Sequence, residues 1–559
     1  MKKILLYFIL PLLVIIFAIF LFLGLYTDRV IDPYVRSLLE VTKPMGHKIE
    51  YKKIRVNLFE GSIIIKEFGM SPDSSLSSND LRMEINVKDI RLTGFSIRQM
   101  IFDKTLTITE LLIENPDVKL TLPDSANKVV EEVREEKPPK EGSQLLTHIN
   151  LEKIHFSGGS FQLIRNGVIL AKSPGINLLA QSIYLVKNSK EEPIGFTYGD
   201  ISLNLTDIEL YSETGLYDMS LKEFAFTKSD STAVLKGFSM IPKHDKKEFS
   251  GKLDFQNDRF DVKIGQLKIS HIGIEQFRSS GKMAISSITI DSINADIYRD
   301  KNVTFNFNRY PPFYNESFLK LAIPLLIDSV AITNSRIQYG ELAEGRPKAG
   351  TILLEKFHLQ SYDLTNQVAD DSIENVMHFN IQAMVMGEGP LNLELTLPLE
   401  GNLHEFRCSG SVGSMQLSPL NDMLEPAINI KFNGGKVNRL TFDFIANDNS
   451  SKGWMEFLYQ DLDVSLMKKD ADKEKGFMST MANTMALSNN PAPGKNLKIV
   501  EIGYERDKNK GIINYVWKTI QSGMVHTILP IKKYQINRKK DLKEQEGRKS
   551  NEKKRNKRK

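Results

Sequence analysis

At 559 residues the chain has room for roughly three to five ordinary domains, or for one elongated repetitive body. Its 74 Lys and Arg against 69 Asp and Glu leave only +5, which argues against a uniformly basic, nucleic-acid-coating surface. The one cysteine, Cys408, excludes an intrachain disulfide framework, a Cys-rich zinc module and an iron–sulfur centre supplied by this chain alone.

The first element is apolar. Met1-Lys2-Lys3 precedes Ile4 to Tyr26, 23 residues without a charge, enough for a helix of ~30 Å, the thickness of a bilayer core. Phe22, Leu23, Gly24, Leu25 and Tyr26 offer no pair of small residues to mark a cleavage site, so an uncleaved transmembrane anchor over 1–27 is expected. Lys2 and Lys3 face Arg29, Arg36 and Lys43, and the positive-inside count does not decide orientation. The short N-terminal tail suggests N-inside, a single pass through a bacterial inner membrane, with the bulk of the chain periplasmic.

Beyond the anchor the pattern has period two, the signature of strands with one apolar and one wet face. Leu81, Met83, Ile85 and Val87 alternate with Arg82, Glu84 and Asn86, and Leu203 and Leu205 with Ser202 and Asn204. Val262 and Ile264 flank Lys263, and Leu393 and Leu395 sit between Asn392, Glu394 and Thr396. A finer repeat places apolar residues at offsets 0, 3, 5, 10 and 12 in four segments starting at Ile108, Leu151, Ile285 and Ile327. Between the third and fourth positions stand Glu114-Asn115-Pro116-Asp117, Ser157-Gly158-Gly159-Ser160, Asp291-Ser292-Ile293-Asn294 and Thr333-Asn334-Ser335-Arg336. These residues suit turns, so each segment is expected to be a hairpin. The starts lie 43, 134 and 42 residues apart, and a degenerate stacked repeat near 43 residues is expected.

Composition shifts divide the chain: an N-terminal β unit over 28–122, a charged linker over 123–144 containing Glu131 to Lys140, central β repeats over 145–310 and C-terminal β repeats over 311–467. Residues 468–531 are expected to hold a Met-rich stripe (Phe477, Met481, Met485), one strand and an amphipathic helix from Ile512 to Leu529. Ile513, Val516, Trp517, Ile520 and Met524 form that helix's stripe, which either sits at a membrane interface or caps a sheet. From Lys532 to Lys559 the chain is a basic tail of net +10, leaving −5 for the rest. It is read either as a disordered solubilising extension or as a contact for anionic headgroups or envelope proteins.

Catalytic signatures are missing. The nine histidines contain no pair at i, i+2 or i, i+4 spacing for a metal, and no phosphate loop or nucleophile elbow occurs. A non-enzymatic protein without cofactor, metal or nucleic-acid partner is expected.

The order of features resembles the AsmA-like family of bacterial envelope proteins, in its TamB-like group. The resemblance rests on the N-terminal anchor, on repeats such as Leu111-Leu112-Ile113-Glu114-Asn115-Pro116, and on a C-terminal section. That section reads Gly434-Gly435-Lys436-Val437, Gly453-Trp454-Met455-Glu456-Phe457 and Tyr459-Gln460-Asp461-Leu462. It implies an elongated, twisted antiparallel β-groove, inner-membrane anchoring, and support of outer-membrane biogenesis by holding or transferring phospholipid. The expected fold is therefore mainly β, with a few short helices near the C-terminus. Leu81, Met83, Ile85, Val87, Leu203, Leu205, Val262, Ile264, Leu393 and Leu395 are the expected groove lining, with phospholipid acyl chains as partner. The alternative is an envelope scaffold of closed β-sandwich domains that recruits proteins.

Overall fold

Alternation of apolar and polar side chains over segments this long is satisfied by a sheet, and the computed structural model is mainly β, a large twisted mixed sheet with few helices. It describes residues 46–57, 61–77, 80–94, 103, 105–123, 148–186, 195–197, 199–212, 214–367, 375–466 and 486–529. The expected anchor, most of the charged linker, the Met-rich stripe and the basic tail lie outside these. Among the described residues no helix is long and apolar enough to cross a membrane.

The early strands are β1 (His47–Glu50), β2 (Lys53–Asn57), β3 (Ser62–Pro72), β4 (Arg82–Thr93), β5 (Thr105–Ile108), β6 (Glu110–Glu114) and β7 (Asp117–Leu122). Then come β8 (His148–Ser157), β9 (Ser160–Arg165), β10 (Val168–Ser173), β11 (Gly175–Val186), β12 (Gly195–Thr197), β13 (Ile201–Leu210), β14 (Tyr217–Thr227) and β15 (Thr232–Pro242). Helix α1 (Lys246–Gly251) precedes β16 (Asp258–Ile272), α2 (Ile274–Ser280) precedes β17 (Met283–Asp300), and α3 (Tyr314–Leu319) precedes β18 (Leu325–Leu342). The remainder is β19 (Gly350–Thr365), β20 (Val376–Val385), β21 (Gly389–Pro398), β22 (Phe406–Val412), β23 (Met415–Gln416), α4 (Asn421–Ile428), β24 (Ile430–Ala446), β25 (Ser450–Leu466), β26 (Ile499–Glu505) and α5 (Ile512–Ile528). The chain divides into two units: residues up to 245 with 260–293 and 322–328, and residues 246–259, 294–321 and 329 onward.

The four expected hairpins are not hairpins. Strand β4 pairs antiparallel with both β6 and β7, Ile90 opposite Ile113 and Asn86 opposite Asp117, so β6 and β7 are one strand interrupted at Asn115-Pro116. In the same way β8 and β9 continue one another, and in β17 and β18 the supposed turn lies inside a single strand of 18 residues. The turn-forming residues mark a switch. Asn115, Gly158, Ser292 and Asn334, each at offset 7 of its repeat, adopt φ of 50°, 70°, 60° and 49°. A left-handed residue inside a strand adds one residue to the alternation. Apolar positions at odd separation therefore return to the same face, as the step from offset 5 to offset 10 requires.

The 43-residue interval has a topological meaning. Residues one interval apart pair side by side in parallel: Leu111 with Ile154, and Val118 with Phe161. In the second unit Arg336 donates to Asn294 at 3.3 Å and the Lys301 amide to the Leu342 carbonyl at 2.9 Å, so β17 and β18 also run parallel there. The sheet is thus mixed, correcting the expectation of a wholly antiparallel one. Each parallel pair needs a crossover, and the one from β17 to β18 carries α3.

Candidate functional site

In the first unit the switches fall in register. Thr206 pairs with Glu223 and Ile208 with Leu221, with Asp207 and Lys222 between them; Leu221 pairs with Phe238 and Glu223 with Lys236, with Lys222 and Gly237 between. The line continues to Gly265, since Lys236 faces Gln266 and Phe238 faces Ile264. Asp207 and Gly237 are left-handed, with φ of 51° and 67°. Glycine suits the second because a Cβ there meets the Lys222 side chain at 2.7 Å.

With Asp207 and Gly237 shifting the alternation at one level, apolar side chains align into four rungs across β13 to β16. They are Leu210, Met219, Met240 and Val262; Ile208, Leu221, Phe238 and Ile264; Leu205, Phe224, Leu235 and Leu267; and Leu203, Phe226, Ala233 and Ile269. The opposite face is polar: Asn204 donates to Glu223 at 3.0 Å, Lys236 to the same carboxylate at 3.1 Å, and Ser220 and Ser239 lie 2.8 Å apart. Leu205, Ile208 and Leu221 form a buried cluster with Ala171 and Ile176, against which Phe161 and Leu163 of β9 also pack. Apart from these and Ala233, the rung residues stay half-buried.

In the second unit a rung of the same kind is closed. Leu395, Cys408, Phe444, Gly453 and Ile502 align across β21, β22, β24, β25 and β26, and the four apolar side chains are buried. Phe313, just before α3, packs edge-on against Phe406, whose ring in turn meets Tyr515 of α5 at 5.7 Å. The C-terminal section of the sequence supplies this closure. A Cβ on Gly453 would lie 2.1 Å from the Asp443 carbonyl, Met455 and Tyr459 are buried, and Asn490 ties a strap across β25 by donating to the Phe457 carbonyl at 2.7 Å. Burial pushes the Cys408 thiol up to about 12 and raises the Tyr459 and Tyr515 phenols above their ordinary value.

The structure therefore scatters the expected lining. Val262, Ile264 and Leu203 lie on the half-open rungs, with Leu205 buried at their edge. Leu81 precedes β4 and is 54% exposed, outside any strand. Met83 is half-buried, Ile85 packs against the closed N-terminal cluster, and Val87 is a member of it. Leu395 is buried in the second unit and Leu393 half-buried. Sequence reasoning missed Phe224, Phe226, Leu235, Phe238 and Leu267, which strict alternation hides. Their signal is the three-residue step across a Gly or charged residue, as in Leu235 to Phe238 and Ile264 to Leu267.

Among the described residues no group of three His, Cys, Asp or Glu side chains is placed to hold a metal. A hollow of about 250 Å³ is lined by His155, Ser202 and Asn204 together with Leu203 and Phe226 of the rungs. Neither family models nor curated proteins gave a match to the chain.

Proposed function

We propose that this is a non-enzymatic, membrane-tethered protein that shelters phospholipid acyl chains on the apolar face of β13 to β16. It would work at the bacterial inner membrane with its body in the periplasm, holding or passing lipid in support of outer-membrane biogenesis, as the AsmA-like resemblance implies. One observation carries this reading: four in-register rungs of Leu, Ile, Phe, Met, Val and Ala side chains stay mostly half-buried in one unit, while the rung of Leu395, Cys408, Phe444 and Ile502 in the other is buried. Soluble proteins rarely leave a large contiguous apolar face open to water, and an acyl chain laid along these half-buried side chains would complete their burial. Each acyl methylene moved from water onto them gains about 0.8 kcal/mol, with no directional chemistry required.

The supporting experiment is photo-crosslinking with a phospholipid carrying a diazirine in its acyl chain. Labelled peptides are expected from β13 to β16 and not from β22 or β25; labelling confined to other segments refutes the assignment. The buried rung across β21 to β26 favours the scaffold reading for that part of the chain.

A further inference from the structure

The face of α5 that packs on the sheet is not the greasy one. Ile512, Tyr515, Val516, Thr519, Ser522, Gly523 and Thr527 are its buried residues. A Cβ on Gly523 would stand 2.5 Å from Ile502, the Thr519 and Ser451 hydroxyls lie 2.7 Å apart, and the Gly503 amide donates to Ser522 at 3.2 Å. Small and hydroxyl side chains let the helix lie close on β25 and β26. Of the expected stripe only Val516 is buried. Ile513, Trp517, Ile520, Met524 and Ile528 occupy an arc of roughly 80° on another side of the helix. Ile513 is 65% and Trp517 40% exposed, and the other three are half-buried. Four residues beyond the helix begins the segment Lys532 to Lys559, with its net charge of +10.

We propose that the outward stripe of α5, together with the basic segment after it, docks on an anionic phospholipid bilayer. An apolar helical stripe with an indole on it suits burial at the headgroup boundary. Neither a short stripe nor a charge cluster holds a surface alone, but the two signals add, each Lys or Arg near an anionic surface contributing up to ~1 kcal/mol. The charge selects the occupant, since a neutral protein surface offers no counter-charge to the segment's net +10. This contact is independent of the acyl-chain reading and stands or falls separately from it.

The chain has two tryptophans, so Trp454→Phe in the full protein makes Trp517 the sole reporter. The protein is reconstituted in phosphatidylcholine vesicles, with or without phosphatidylglycerol, in which the phosphatidylcholine carries brominated acyl chains. Loss of most Trp517 emission is expected with phosphatidylglycerol present, with recovery at high salt, in Ile513→Glu/Met524→Glu, and in a chain ended at Ile531. Equal emission in the two vesicle types overturns the proposal. So does quenching that persists without the basic segment, or a blue shift that follows protein concentration rather than lipid, which would indicate a second copy as the occupant.

Discussion

Cys408 sits at zero exposure, with its pKa raised by burial from 9.0 to about 12. A thiol-specific reagent at pH 8 is expected to leave the native protein unlabelled and to label it once after denaturation; fast native labelling would mean that the second unit is open. The sign of the pH effect follows. The folded state holds the thiol proton more tightly, so this contribution is complete below pH 9 and is lost as pH rises from 9 toward 12. Gly453 gives a second test at this scale. Adding a methyl there, 2.1 Å from a carbonyl, is expected to cost at least the ~1–3 kcal/mol of overpacking. Gly251→Ala, which meets nothing within 4 Å, is expected to change stability by less than ~1 kcal/mol. Equal denaturation midpoints for the two variants would contradict the close approach of β24 and β25.

The decisive feature of the elements is the left-handed residue within the strand. Asn334→Gly is expected to be neutral or slightly stabilising. Asn334→Val, a β-branched residue forced to φ of 49°, is expected to lose roughly 1–2 kcal/mol. Chemical denaturation of the two variants measures the difference, and similar losses in both would mean that the conformation at this position is unimportant. These residues also mark the limit of what the sequence discloses. The strands, their apolar faces and the repeat near 43 residues are legible because alternation is a one-dimensional property. Whether Thr333-Asn334-Ser335-Arg336 reverses the chain or only shifts its phase is not, since the same residue types tolerate both conformations. Reading a turn there made hairpins of kinked strands and hid the parallel pairing of Leu111 with Ile154. For α5 the period of 3.6 located the helix, and of the two fates left open for its stripe, a membrane interface or a sheet cap, the sheet contact is made instead by Tyr515, Thr519, Ser522 and Gly523, with Val516 alone of the stripe buried.

For the whole molecule, the difference between half-open and sealed rungs separates two fates of a charged substitution. Val87→Asp buries a carboxylate in the closed N-terminal cluster and is expected to cost several kcal/mol, read as a lower melting temperature. Phe226→Asp/Leu267→Asp alters half-buried positions, and is expected to leave secondary structure in place while removing the surface that shelters lipid. Had the molecule been closed along its length, both substitutions would unfold it. Native mass spectrometry of the full protein, extracted in mild detergent from its membranes, is the most direct test of the acyl-chain account. Bound phospholipid is expected on the wild-type chain and is expected to be largely lost from a folded Phe226→Asp/Leu267→Asp variant. A lipid-free wild-type protein, or equal lipid on both, would contradict it.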